Sequence, residues 1–131
     1  MLLAPWALPA VLLVGCIVAL RVAGSGKYRT LSLRAAHSLL EGGNLVVLDV
    51  RERAELVGGV LPGALSIPLS QLRERMEQVP SGTLLVYCAS GMRSRFACSW
   101  LSKAGRQEVF NLAGGIEAWR QHGLPITARP N

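Results

Sequence analysis

From about residue 28 onward, short unbroken apolar runs alternate with longer stretches whose apolar residues recur every three or four positions. The runs are "NLVVLDV", "TLLVYC" and "EVFNL". None alternates polar with apolar, which is the pattern of strands buried on both faces. "YRTL" reads as a brief extended piece, and Leu65 to Ile67 as a further short strand among the turn residues of "VLPGALSIPL". Between the runs lie helical periodicities. Leu33, Ala36, Leu39 and Leu40 share one face, with Ser32 placed as N-cap and Gly42-Gly43 as the stop. "RERAELVGG" is a short helical segment in which Arg51 and Glu55 stand one turn apart, which predicts an ion pair between them. "SQLRERMEQV" predicts an amphipathic helix from Ser70, with Leu72, Met76 and Val79 inward and Pro80-Ser81-Gly82 ending it. A helix over Ser94 to Ala104 sets Phe96, Ala97, Trp100 and Leu101 on one side. A last helix in "AGGIEAWRQHG" carries Ile116 and Trp119 and is stopped by Gly123 and Pro125.

Strands alternating with helices at this pitch call for an α/β domain: a parallel sheet with helices on both faces. In such sheets chemistry sits in the loops leaving the carboxyl ends of strands. Cys88 and Asp49 both fall at such ends. At 131 residues the chain holds one domain with a proper core.

The first 20 residues break the pattern, because they contain no charged side chain. A helix of about 20 residues at about 1.5 Å each just spans a hydrocarbon core of about 30 Å. Pro5 and Pro9 confine the well-formed part to about Ala7–Ala23. A cleaved signal peptide needs basic residues before the apolar run and small residues after it. Nothing basic precedes this run, and Arg21 stands where small residues are needed. The segment therefore reads as an uncleaved anchor over residues 1–24, with a soluble domain over residues 25–131 joined through Gly24-Ser25-Gly26. Lys27, Arg29 and Arg34 place that domain on the cytoplasmic side of an inner membrane, crossed once. Gly15, Ala19 and Ala23 form a small-residue face that permits a homodimer through the membrane helix, although such residues also occur in ordinary apolar spans.

Net charge is +6, and past Arg21 thirteen basic residues face eight acidic ones. The arginines are scattered and no aromatic ladder accompanies them, which argues against nucleic acid and for a domain held near anionic lipid head groups. Three cysteines (Cys16, Cys88 and Cys98) form no CxxC pair and no disulfide framework. With His37 and His122 read as surface residues, no metal and no cofactor is implied. Free thiols suit a reducing compartment.

"VYCASGMRSR" carries the candidate chemistry. A cysteine at a strand end is most often a small hydrophobe closing the core. Here Cys88 is followed by small residues and Gly91, then by Arg93 and a helix. The loop Ala89, Ser90, Gly91, Met92 and Arg93 can turn successive amides inward as an anion nest. The helix N-terminus and the arginine add positive potential. These terms together lower a thiol pKa and favour the thiolate. Cys98, inside the helix, lacks such a loop and reads as packing.

Four pieces, "LDVRERAE", "LPGALSIP", "VYCASGMRS" and "NLAGGIEAW", stand in the order of a rhodanese-type sulfurtransferase domain, which residues 30 to 125 resemble. With its leading apolar segment the chain is similar to small single-domain rhodaneses of the bacterial inner membrane. The resemblance implies a five-stranded parallel sheet flanked by helices. It implies that Cys88 takes a sulfane sulfur from an anionic donor such as thiosulfate and passes it from a persulfide to cyanide or a thiol. Arg93 would orient the donor, and the amides of Ala89 to Arg93 would hold thiolate and persulfide. Asp49 and Arg51 match supporting positions, and Gly114-Gly115 the tight start of the last helix. The chain departs from the family at Gly59-Val60-Leu61, often Gly-His-Ile, at Leu56, usually aromatic, and at Ala89, often arginine.

The related phosphatase loop has five residues between cysteine and arginine; here there are four, Ala89 to Met92. A phosphatase also needs an acid to protonate its leaving group, and downstream of Cys88 only Glu108 and Glu117 are acidic. Sulfur is therefore favoured over phosphate or arsenate. A persulfide carrier serving a partner protein and a non-catalytic anion-binding module stay open as alternatives.

Overall fold

The computed structural model describes residues 26–129. The anticipated membrane helix, and with it Cys16, lies outside the described residues; no helix within them is long and apolar enough to cross a membrane. Five strands, β1 (Arg29–Leu31), β2 (Val46–Asp49), β3 (Leu65–Ser66), β4 (Leu84–Tyr87) and β5 (Val109–Leu112), form one sheet in the order β1-β5-β4-β2-β3. Every pairing is parallel. The three apolar runs are the three inner strands, as their lack of alternation requires, since both faces are covered.

Alternate residues go to different layers. Val47, Leu85, Tyr87 and Leu112 pack with Ala36, Ile116 and Trp119, which come from α1 (Leu33–Glu41) and α4 (Gly115–Gln121). Leu48, Val86 and Cys88 face the other way. They pack with Ala97, Cys98 and Leu101 of α3 (Met92–Lys103), and with Leu72 of α2 (Leu69–Leu72) and Val79. Ser32 caps α1 as expected, its hydroxyl accepting the Ala35 N–H at 3.2 Å.

Three helical expectations are corrected. The segment from Ser70 is not one amphipathic helix: it splits into α2 and a single 3₁₀ turn, Met76–Gln78. The guanidinium of Arg106 donates to the carbonyls of Pro80, at 2.6 Å, and Val79. Those long-range bonds satisfy carbonyls just past the 3₁₀ turn, where no helix supplies a partner. Next, α3 begins at Met92 rather than Ser94, which puts Arg93 in its first turn. Finally, Phe96 on that helix is 58% exposed, whereas Ala97 and Leu101 are buried.

Candidate active site

β4 runs through the centre of the sheet and is followed directly by Cys88, which is 1% exposed. Beyond it the chain makes one tight loop into α3. Gly91, the N-cap residue, has φ +103°, in the left-handed region that glycine enters without a Cβ penalty. Its N–H donates to Cys88 Sγ at 3.1 Å.

The loop is turned from behind. The first turn of α4 has N–H groups with no partner inside its own helix. Those of Ile116 and Glu117 donate to the carbonyls of Cys88 and Ala89, each at 3.0 Å. With these carbonyls drawn toward α4, the amides of Ser90 and Gly91 face the sulfur. The approach leaves no room for a side chain at Gly115, where a Cβ would lie 2.4 Å from the Ala89 oxygen. The expected role of Gly114-Gly115 at the start of the last helix thus has a physical cause.

Ser94 was not singled out from the sequence, yet its hydroxyl lies 3.4 Å from Cys88 Sγ. It is fully buried and also reaches Asn111 Oδ1 at 2.5 Å and the Gly91 carbonyl at 3.2 Å. Asn111 in turn donates to Thr30 Oγ1 at 3.4 Å. The available signal was a polar residue inside the apolar run "EVFNL". Burial pushes the Cys88 thiol pKa up, but hydrogen bonds from Ser94 and from the amides of Ser94, Gly91 and Ser90 outweigh it, and the net direction is down. Cys98 has no such donors, and burial raises its thiol to about 12. It packs in the core, as expected of it.

Arg93 carries a second surprise. Its two terminal nitrogens each donate to a Glu55 oxygen at 2.7 Å, a bidentate pair with both side chains 35% exposed. The hydrogen bonds from Arg93 hold the Glu55 carboxyl down at about 2. The predicted Arg51–Glu55 side-chain pair does not form. Arg51 precedes the 3₁₀ segment Arg53–Gly58, and its guanidinium grips Asp49, with Nη2 to Oδ2 at 2.8 Å. Its remaining donors reach the carbonyls of Glu55 at 3.0 Å and Gly59 at 2.9 Å. Asp49 and Arg51 are both buried, so a fully satisfied ion pair at the end of β2 fixes the segment that carries Glu55.

Of the loop residues named from sequence, Gly91 contacts the sulfur through its amide; Ser90 and Met92 turn their side chains to solvent, and Ala89 is half-buried. The loop flanks a recess of about 190 Å³ lined by Ser90, Gly91, Arg95 and Asn111 among others. A concavity of about 760 Å³ opens at the amino ends of β1 and β5, away from Cys88. Among the described residues no cluster of side chains could hold a metal ion.

A five-stranded parallel sheet with a cysteine-to-arginine loop leaving its central strand defines the rhodanese class of domain. Residues 32–122 match the family model of the rhodanese-like domain, and the chain belongs to that family. It is 42% identical over 86 residues to a sulfurtransferase of Allochromatium vinosum, covering 65% of this chain and 80% of that one. It is 30% identical over 105 residues to the thiosulfate sulfurtransferase GlpE of Coxiella burnetii, covering 79% of this chain and 98% of that one. A rhodanese-related protein from Thermoplasma volcanium superposes with a TM-score of 0.72 at 32% identity, covering 78% of this chain and all of that one.

Proposed function

We propose that this protein is a sulfurtransferase that moves a sulfane sulfur through a persulfide on Cys88. The observation that carries the reading is the buried Cys88 sulfur receiving the Gly91 N–H at 3.1 Å, in a loop whose preceding carbonyls are held by α4. That arrangement favours a thiolate and then accommodates the charge of a terminal persulfide. With thiosulfate as donor, the thiolate attacks the outer sulfur. A new S–S bond forms, the old one breaks, and sulfite leaves with its electron pair; Cys88 becomes Cys–S–S⁻. A thiolate or cyanide then attacks the terminal sulfur, and the bonding pair returns to Cys88. No external oxidant or reductant is needed.

The thiosulfate activity of the Coxiella relative and the sulfurtransferase name of the Allochromatium relative support the same class of reaction. The charge-free first 20 residues and the basic residues after them support an inner-membrane anchor with the domain in the cytoplasm. N-terminal sequencing of the membrane fraction checks the anchor: a chain starting after Ala23 would remove it.

The reaction is tested by intact mass spectrometry after thiosulfate treatment. One added sulfur atom on Cys88, discharged by cyanide as thiocyanate and absent in Cys88→Ala, is expected. An unchanged mass with thiosulfate and with an alkyl persulfide would refute the reading.

A further inference from the structure

Arg93 is the loop arginine expected to receive an anionic donor, yet both of its terminal nitrogens are already occupied. Glu55 holds them at 2.7 Å each. The carboxylate is itself fixed by its own segment. Its Oε2 accepts the Glu52 N–H at 2.8 Å, closing a capping box, while the Glu55 carbonyl accepts Arg51 Nη1 at 3.0 Å. Arg51 is anchored on buried Asp49. Apart from Arg93, Glu55 therefore has two attachments, one through its carboxylate and one through its carbonyl.

The consequence is electrostatic. A bidentate carboxylate cancels the guanidinium charge over the distance of a bound ligand. The positive potential left at the sulfur is that of uncharged donors, namely backbone amides, the Ser94 hydroxyl and the N-terminus of α3, while the exposed Arg95 lines the recess beside Ser90, Gly91 and Asn111. These suit a single charge sitting on sulfur. They do not balance a dianion such as thiosulfate, whose sulfonate oxygens would have to displace Glu55 or lie beside it.

We infer that Glu55 sets donor specificity by occupying the Arg93 fork, so that the site takes carbon-bound persulfides in preference to thiosulfate. This rests on the sulfurtransferase reading and names the substrate class. The transfer balances as before: the Cys88 thiolate attacks the terminal sulfur of R–S–SH, the S–S bond breaks, and the departing thiolate R–S⁻ takes the pair and the proton.

The test compares persulfidation rates of Cys88 with thiosulfate and with glutathione persulfide in the full chain and in Glu55→Gln. The amide keeps the shape and an acceptor for the Glu52 N–H but removes the charge. The ratio of thiosulfate to persulfide rates is expected to rise about tenfold. A second reading without turnover uses sulfate, which is inert, to protect Cys88 from iodoacetamide; half-protection should need about tenfold less sulfate in the variant. Glu55→Asp, too short to span the fork, should move both readouts the same way. An unchanged ratio, or weaker sulfate protection in both variants, would overturn the inference and make Glu55 a residue that aims Arg93 at the donor. Absence of persulfide in the parent chain with either donor would instead defeat the sulfurtransferase reading, while the sulfate measurement would still judge Glu55.

Discussion

Replacing Ser94 by alanine removes the hydroxyl beside the Cys88 sulfur and leaves the loop backbone in place. In the thiol form, Cys88 donates to Ser94 Oγ at 3.4 Å. On ionisation that bond must reverse, with the hydroxyl donating to sulfur. A hydrogen bond to a charged group contributes about 1.5–3 kcal/mol, and about 1.4 kcal/mol corresponds to one pKa unit. Ser94 has one proton and three acceptors in reach: the sulfur, the Gly91 carbonyl and Asn111 Oδ1. Donation to the thiolate is drawn from the other two, so the lower end of the range applies. Ser94→Ala should raise the Cys88 pKa by about one unit. Thiolate absorbance followed against pH, or the pH profile of iodoacetamide labelling, measures it. Urea unfolding should show a loss of about 1–2 kcal/mol, because the buried Asn111 Oδ1 loses its donor. A variant with this stability loss but an unmoved thiol titration would refute the argument and assign the lowered pKa to the amides alone.

Three further outcomes are expected. Gly115→Ala combines a backbone at φ +62° with a Cβ only 2.4 Å from the Ala89 oxygen; it should destabilise by at least about 2 kcal/mol and slow Cys88 alkylation, measured on the same sample. Glu55, held at about 2 against its ordinary 4.5, contributes stability that is full above 4.5 and disappears as pH falls through 2. Urea midpoints across that window should therefore fall less steeply in Glu55→Gln than in the parent. Asp49→Asn leaves the buried Arg51 without its anion, and thermal unfolding should register a loss of about 3–5 kcal/mol.

The inner strands were legible because a strand covered on both faces leaves an unbroken apolar run, and the loop was legible because a cysteine, a glycine and an arginine lay within six consecutive positions. What escaped depended on residues far apart in the chain. The Arg51–Glu55 expectation assumed an α-helical turn, but the helix starts after Arg51, and each side chain found a partner elsewhere. Glu55 and Arg93 are brought together only because β2 and β4 are neighbours in the sheet. Likewise Asn111 reaches Ser94 because β5 lies beside β4, with Val86 opposite Asn111. The carbonyls of Val79 and Pro80, where the segment ends, are met by Arg106, which reaches back from beyond α3. Local periodicity has no access to such partners.

The contact between α4 and the loop also sets an order of events during synthesis. Cys88 and its loop emerge from the ribosome ahead of Asn111, Ile116 and Glu117, yet those residues hold Ser94 and the carbonyls of Cys88 and Ala89. The nascent chain thus carries its thiol for a time without the donors arranged around it, and burial of the last helix is the step that arms it. A chain ending before Gly114 would contain every residue of the cysteine-to-arginine loop and still lack the cradle.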